Sequence, residues 1–163
     1  MNDNAILQYL TFALGDEVFA LETGFVREVI ELVPVTRIPK TPSFLRGVIN
    51  LRGHAVPVVD LRIKFGMPKA LDTVSTCIII VDVEIEGEQC HMGAIVDSVL
   101  EVFEMANNQI TPPPRMGTAI RADFIRGMGK QNEEFIMILD IGKVFSPEEL
   151  SLLSAAEADD AEA

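Results

Sequence analysis

The stretch Phe44–Arg62 reads FLRGVINLRGHAVPVVDLR, and its punctuation decides the fold. Gly47 to Leu51 and Ala55 to Val59 are runs rich in β-branched residues on either side of Arg52-Gly53-His54. Such runs around a glycine-bearing turn predict a hairpin, with Gly53 able to supply a positive φ. Alternation puts Val48, Asn50 and Arg52 on one face, and Ile49 and Leu51 on the other. Pro57 removes a ladder donor from the second run, so that strand is expected at a sheet edge. Asp60 is placed to cap a helical turn over Leu61 to Phe65.

The same pattern occurs twice. Phe44-Leu45-Arg46-Gly47 returns as Phe124-Ile125-Arg126-Gly127, and at the same offset Asp60 returns as Asp140 and Phe65 as Phe145. Upstream, Val26 to Glu31 returns as Val99 to Glu104, with a longer loop around Thr111 to Thr118 in the second copy. Further strands are predicted at Leu7 to Leu14, Val18 to Leu21, Cys77 to Ile85, Cys90 to Val96 and Val99 to Met105. Ile125 to Met128 and Phe135 to Leu139 flank a polar turn. Gly15-Asp16-Glu17 is a predicted turn, Thr23 a predicted cap on a helical turn before Val26, and Val33 to Ser43 an extended connection broken by Pro34, Pro39 and Pro42.

The reading is a mainly β chain of two small five-stranded units, the size of SH3-like or OB-like barrels. The first repeat spans about 7–66 and the second about 76–146, within a domain of 1–154. Ser146-Pro147-Glu148-Glu149 is a capping box that predicts a C-terminal helix over about 147–156. Glu157, Asp159, Asp160 and Glu162 then make residues 155–163 an acidic tail expected to be disordered and dispensable.

Composition narrows the function. The chain has 163 residues, 48% hydrophobic and 23% charged, with a net charge of −12. An acidic surface of that size repels phosphate backbones and anionic lipid, so neither nucleic acid nor a membrane surface is an expected partner. Neither a membrane span nor a signal peptide is evident, and two cysteines do not make a disulfide framework, so a cytoplasmic protein with reduced thiols is expected.

Catalytic constellations do not assemble on paper. His54 and His91 are the only histidines and lie in different repeats. Alternation sends Cys90 and His91 to opposite faces, which argues against a metal site, and Cys77 and Cys90 read as small core residues. Arg126 to Gln131 lacks the spacing of a phosphate loop and reads as a strand entering a turn. Asp60 and Asp140 read as caps rather than an acid–base pair. Arg52 stands out, because the second repeat has Lys130-Gln131-Asn132 in place of Leu51-Arg52-Gly53 and the unit can be built without it. A lone arginine on a rigid hairpin of an acidic protein suits a bidentate carboxylate contact.

Val35-Thr36-Arg37-Ile38-Pro39, Gly47-Val48-Ile49-Asn50-Leu51-Arg52-Gly53 and Val56-Pro57-Val58-Val59-Asp60-Leu61-Arg62 closely resemble the chemotaxis coupling protein family, CheW. The resemblance runs from Tyr9 to about Leu153. It implies two five-stranded barrel lobes and a non-catalytic adaptor, without a cofactor, that links the histidine kinase CheA to the cytoplasmic tips of chemoreceptors. It implies that the kinase's regulatory domain pairs lobe to opposite lobe, that the receptor hairpin docks between the lobes, and that the protein joins membrane-associated arrays only through partners. By motif, Arg52 matches the receptor-binding arginine, with Asn50, Val26 and Gly47 in the same receptor set. Glu28 and Arg46 are partner-binding positions whose partner stays open. The other class of reading is a small enzyme or ligand-binding double barrel that uses the groove between the lobes.

Overall fold

The computed structural model describes residues 5–112 and 124–145, residue 86 excepted. The expected C-terminal helix and acidic tail lie outside the described residues. In chain order the elements are β1 (Ile6–Leu14), β2 (Glu17–Glu22), a 3-10 turn (Thr23–Phe25), β3 (Val26–Glu31), β4 (Leu45–Leu51), β5 (His54–Asp60) and α1 (Leu61–Lys64). The second copy supplies β6 (Cys77–Ile85), β7 (Glu88–Val96), β8 (Ser98–Ala106), β9 (Ile125–Gln131), β10 (Glu134–Leu139) and α2 (Ile141–Val144). Each copy is thus five strands and a helical turn, in the same order.

The two sheets do not coincide with the two copies. One sheet runs β8-β1-β2-β10-β9 and the other β3-β6-β7-β5-β4. Each lobe therefore takes the first hairpin of one copy and the last three strands of the other. Each hairpin is joined to the other copy on both sides, through the antiparallel pairs β1–β8 and β3–β6 and the parallel pairs β2–β10 and β5–β7; the pairings within each copy are antiparallel.

Repeat symmetry extends to details that make the unit. Asp60 accepts from the Arg62 N–H at 3.0 Å, and Asp140 from the Gly142 N–H at 3.1 Å, so both aspartates cap the turns that follow them. Val48 and Thr36 exchange backbone hydrogen bonds of 2.8 Å, and Met128 and Thr111 do the same at 2.8 and 2.9 Å. These bridges cover the outer edges of β4 and β9, which would otherwise present unpaired backbone.

Both sheets curl until their ends meet. Arg52, on the β4–β5 turn, reaches Glu28 on β3 at the opposite edge. In the other lobe Met105 of β8 fills the space in front of Gly129 of β9, where a Cβ would stand 2.4 Å from its Cε. Two five-stranded SH3-like lobes result.

Pro57 corrects one expectation. Its strand β5 is internal, between β7 and β4. Val48, opposite Pro57, directs its own N–H and C=O at Thr36, so this is a non-hydrogen-bonded pair and the proline ring needs no donor toward β4. On the β7 side, pairing starts only at Val58. Thr23 likewise does not cap its turn: the N-cap is Glu22, without a side-chain bond.

Three apolar cores follow from this exchange. One lobe encloses Ile49, Val56, Val58, Ile78, Ile80 and Ile95, and the other Tyr9, Ala20, Met105, Ile136 and Ile138. The largest core lies between the lobes, where Phe12, Phe19, Phe65 and Phe124 form a chain of ring contacts with centroids 5.5–5.8 Å apart. Burial of about 1.5–3 kcal/mol per large side chain makes this seam a main source of stability.

A polar latch closes the seam at one side. Arg62, on α1, donates to Asp97 from Nε at 2.8 Å and from Nη2 at 2.5 Å. Asp97 lies on the β7–β8 crossing and also accepts from the Gly15 N–H, on the β1–β2 turn, at 2.7 Å. Bonding from Arg62 chiefly, with help from Gly15, holds the Asp97 carboxyl below the usual aspartate range. A depressed folded pKa means that this stabilisation is complete above the ordinary value of about 3.9 and is lost as pH falls through the lower folded value. Asp97→Asn is expected to cost about 1–2 kcal/mol, or roughly 3–6 °C in Tm at neutral pH. The gap between variant and wild type should close as thermal melts are moved below pH ~3.9; a gap that stays constant with pH would contradict the latch.

Candidate partner-binding site

The hairpin turn is two residues, Arg52 (φ 49°) and Gly53 (φ 86°), with His54 already opening β5. Two positive φ angles make a primed turn, which matches strand twist. The expected three-residue tip is therefore shortened, and Arg52 belongs to the turn rather than to the alternating face. Asn50 is exposed, and its Oδ1 accepts from the Gly53 N–H at 2.8 Å, which stabilises the turn. In the second copy Asn132 (φ 52°) and Glu133 (φ 68°) hold the same turn. The counterpart of Arg52 is thus Asn132, one residue later than the pairing of Leu51-Arg52-Gly53 with Lys130-Gln131-Asn132 implied.

Arg52 is not a lone arginine. Its Nη1 and Nη2 donate to Oε1 and Oε2 of Glu28 at 3.1 and 2.6 Å, a fork-to-fork pair. Hydrogen bonds from Arg52 hold the Glu28 carboxyl below the usual glutamate range. The arginine side chain is 64% exposed, so the pair contributes little to stability and the guanidinium keeps a solvent-facing edge. Asn132 offers no charge for such a pair, so the device belongs to one lobe only.

The remaining expected site residues divide by burial. Val26, two residues before Glu28 on β3, is half-buried against the central core. Gly47 is buried with φ 147°, and a Cβ there would stand 2.1 Å from the Thr36 carbonyl oxygen. Arg46 turns away from the tip, with Nη2 on Asp60 at 2.7 Å and Nη1 on Asp72 at 3.0 and 3.1 Å. Arg52, Asn50 and Glu28 therefore come together as one surface, whereas Gly47 and Arg46 build the hairpin that carries it.

A second polar group was not legible in the sequence. His91 Nδ1 lies 2.6 Å from Asp82 Oδ1, and Arg27 lies 3.7 Å from the other oxygen of that carboxylate. Register alone brings it about, because Asp82 and His91 are paired across β6 and β7. His54 is exposed at the start of β5. Cys77 and Cys90 are free, half-buried thiols packed on the central core, and burial pushes the Cys77 thiol up, away from reactivity.

Two exchanged barrels, with one ion-paired arginine at a hairpin tip, make an architecture for docking other proteins. Residues 8–149 match the CheW-like domain, and the chain belongs to that family. It is 34% identical to the chemotaxis protein CheW of Klebsiella aerogenes over 90% of this chain and 86% of the relative. The chemotaxis protein CheW of Treponema pallidum is 30% identical, with the same coverage. The crystal structure of the scaffolding protein TtCheW from Thermoanaerobacter tengcongensis superposes with a TM-score of 0.77 at 38% identity, over 87% of this chain and 94% of that one.

Proposed function

We propose that this protein is a non-catalytic adaptor that couples the cytoplasmic tips of chemoreceptors to the histidine kinase CheA. The carrying observation is the Arg52 turn: a stiff two-residue loop holds a guanidinium fork outward, already fitted to a carboxylate. A receptor carboxylate can replace Glu28 at the fork with similar bonds, which favours reversible rather than tight contact. Asn50 and Glu28 frame that contact. Val26 and Gly47 act beneath it through the half-buried start of β3 and the root of the hairpin. The kinase is met elsewhere, on a lobe face, and the two lobes offer equivalent edge strands for a partner of like fold. Val29 on β3 and Val102 on β8, at matching positions of the repeat, are both exposed apolar side chains, at 42% and 53%.

No helix among the described residues is long and apolar enough to cross a membrane, so recruitment to arrays would run through partners. The alternative of a small enzyme in the groove has no converging acid, base and nucleophile among the described residues to support it. Sedimentation of the protein with a receptor cytoplasmic fragment, with the CheA regulatory domain, and with both tests the proposal. Binding to each alone and a ternary complex with both is the expected result; failure to bind either would overturn it.

A further inference from the structure

Charge is segregated along this chain. Residues 37–69 hold seven of its 13 lysines and arginines but only one of its 25 acidic residues, Asp60. Three of the seven, Arg46, Arg52 and Arg62, are paired with carboxylates, so the charge bias is felt most in the β3–β4 connection, at Arg37 and Lys40. That connection folds into an open pocket of about 340 Å³ whose lining includes Arg37, Lys40, Thr41, Ser43 and Arg46 and no carboxylate. Arg46 is balanced by Asp60 and Asp72. Arg37 and Lys40 are exposed, and neither pairs with a carboxylate among the described residues.

Arg46, one of the lining residues, ties the pocket to an apolar feature through Asp72. Asp72, which accepts from Arg46, is flanked by Leu71 and Val74, which are 92% and 105% exposed. Their loop is held in place: the Thr73 N–H donates to Thr76 Oγ1 at 2.8 Å, the Ser75 N–H to Thr73 Oγ1 at 3.1 Å, and the Thr76 N–H to the Thr73 carbonyl at 3.1 Å. Two aliphatic side chains held in water on an ordered loop leave transfer free energy unused, and a partner can recover it.

We infer that the Arg37–Arg46 pocket and the Leu71–Val74 loop form a second docking surface, for an acidic segment of a partner protein that carries aliphatic side chains beside its carboxylates. The carboxylates meet Arg37 and Lys40, and the aliphatic groups cover Leu71 and Val74. Nucleic acid and anionic lipid share the charge but are repelled by the acidic remainder of the surface and offer no close match to the aliphatic pair. The surface uses neither Arg52 nor Glu28, so it stands apart from the receptor contact proposed above.

The test uses the full chain and a fluorescent synthetic peptide of interspersed glutamates and leucines, followed by anisotropy. Binding should weaken with salt and fall at least about tenfold when Arg37→Glu and Lys40→Glu are combined. Leu71→Ser with Val74→Ser should lower affinity roughly threefold to tenfold without changing Tm. Arg52→Glu should leave peptide binding intact even where receptor binding is lost. Equal binding of a peptide with glutamine for glutamate, or of one with serine for leucine, would overturn the inference. It would also fall if binding appears only after Glu157, Asp159, Asp160 and Glu162 are replaced by their amides, because the occupant is then the chain's own tail.

Discussion

Gly47→Ala should abolish or nearly abolish the folded state. The new Cβ would lie 2.1 Å from the Thr36 oxygen, 2.7 Å from its carbonyl carbon and 2.9 Å from Val35 Cγ1. Two of those atoms are backbone and cannot rotate away, and φ of 147° is strained for any side chain. Relief requires opening the Thr36–Val48 bridge, which uncovers the edge of β4. A cost above about 4 kcal/mol is expected, a large part of the 5–15 kcal/mol typical of a domain. Gly127→Ala, the same position in the second copy, should cost less. Its closest obstacle is the Cγ2 of Ile110, at 2.5 Å, and the Thr111 oxygen lies farther off at 2.8 Å. Urea melts of the two variants check the order. If Gly47→Ala melts within about 1 kcal/mol of wild type, the close approach is not what holds this hairpin. Receptor and kinase binding should fail together in Gly47 variants, as expected of a folding defect; a lost surface contact would spare one partner.

Arg52→Glu should remove receptor binding and leave the fold intact. The fork supplies charge-assisted bonds worth roughly 1.5–3 kcal/mol, about tenfold to a hundredfold in affinity. Reversal adds repulsion, from the partner's carboxylate and from Glu28 beneath it. Arg52→Lys keeps the charge without the planar fork and should fall between wild type and the glutamate variant. The most telling change is Arg52→Asn, which installs the residue that the second copy uses at a φ of 52°. Asparagine tolerates this left-handed conformation better than arginine, so Tm should hold or rise while receptor affinity falls. Kinase binding should survive in all three. Isothermal titration against a receptor fragment and the kinase regulatory domain, beside thermal melts, measures these outcomes. Wild-type receptor affinity in a folded Arg52→Glu protein would reduce this residue to an ordinary surface arginine.

Strand runs, the repeat and both capping aspartates were legible because each rests on a local signal: β-branched runs, a shared Arg-Gly step, and an acid just before a helical turn. The wrong expectation for Pro57 shows where local signals end. Proline excludes a donor on one side of a strand at one residue, and an internal strand can supply that gap where its second neighbour has not yet begun to pair. Pairing of Glu28 with Arg52 was beyond reach for a related reason. Both residues stood out separately, but their contact depends on the sheet rolling until β3 meets the β4–β5 turn, which no spacing along the chain encodes. The exchange of hairpins between copies is equally silent in sequence, since both arrangements use the same strands in the same order.

That exchange makes the single chain the covalent counterpart of a swapped homodimer, in which each subunit lends its first hairpin to the other. The loop between Gly66 and Thr76 replaces what would be a bimolecular encounter with a tethered one, so the second half is always present at high local concentration. Neither half encloses a core by itself, and damage to either reaches both lobes. On the proposed function, the faces that serve the two partners thereby share one fate in unfolding: a point change can silence one contact, but a coupler with one lobe melted and the other still binding is not among the states this topology favours.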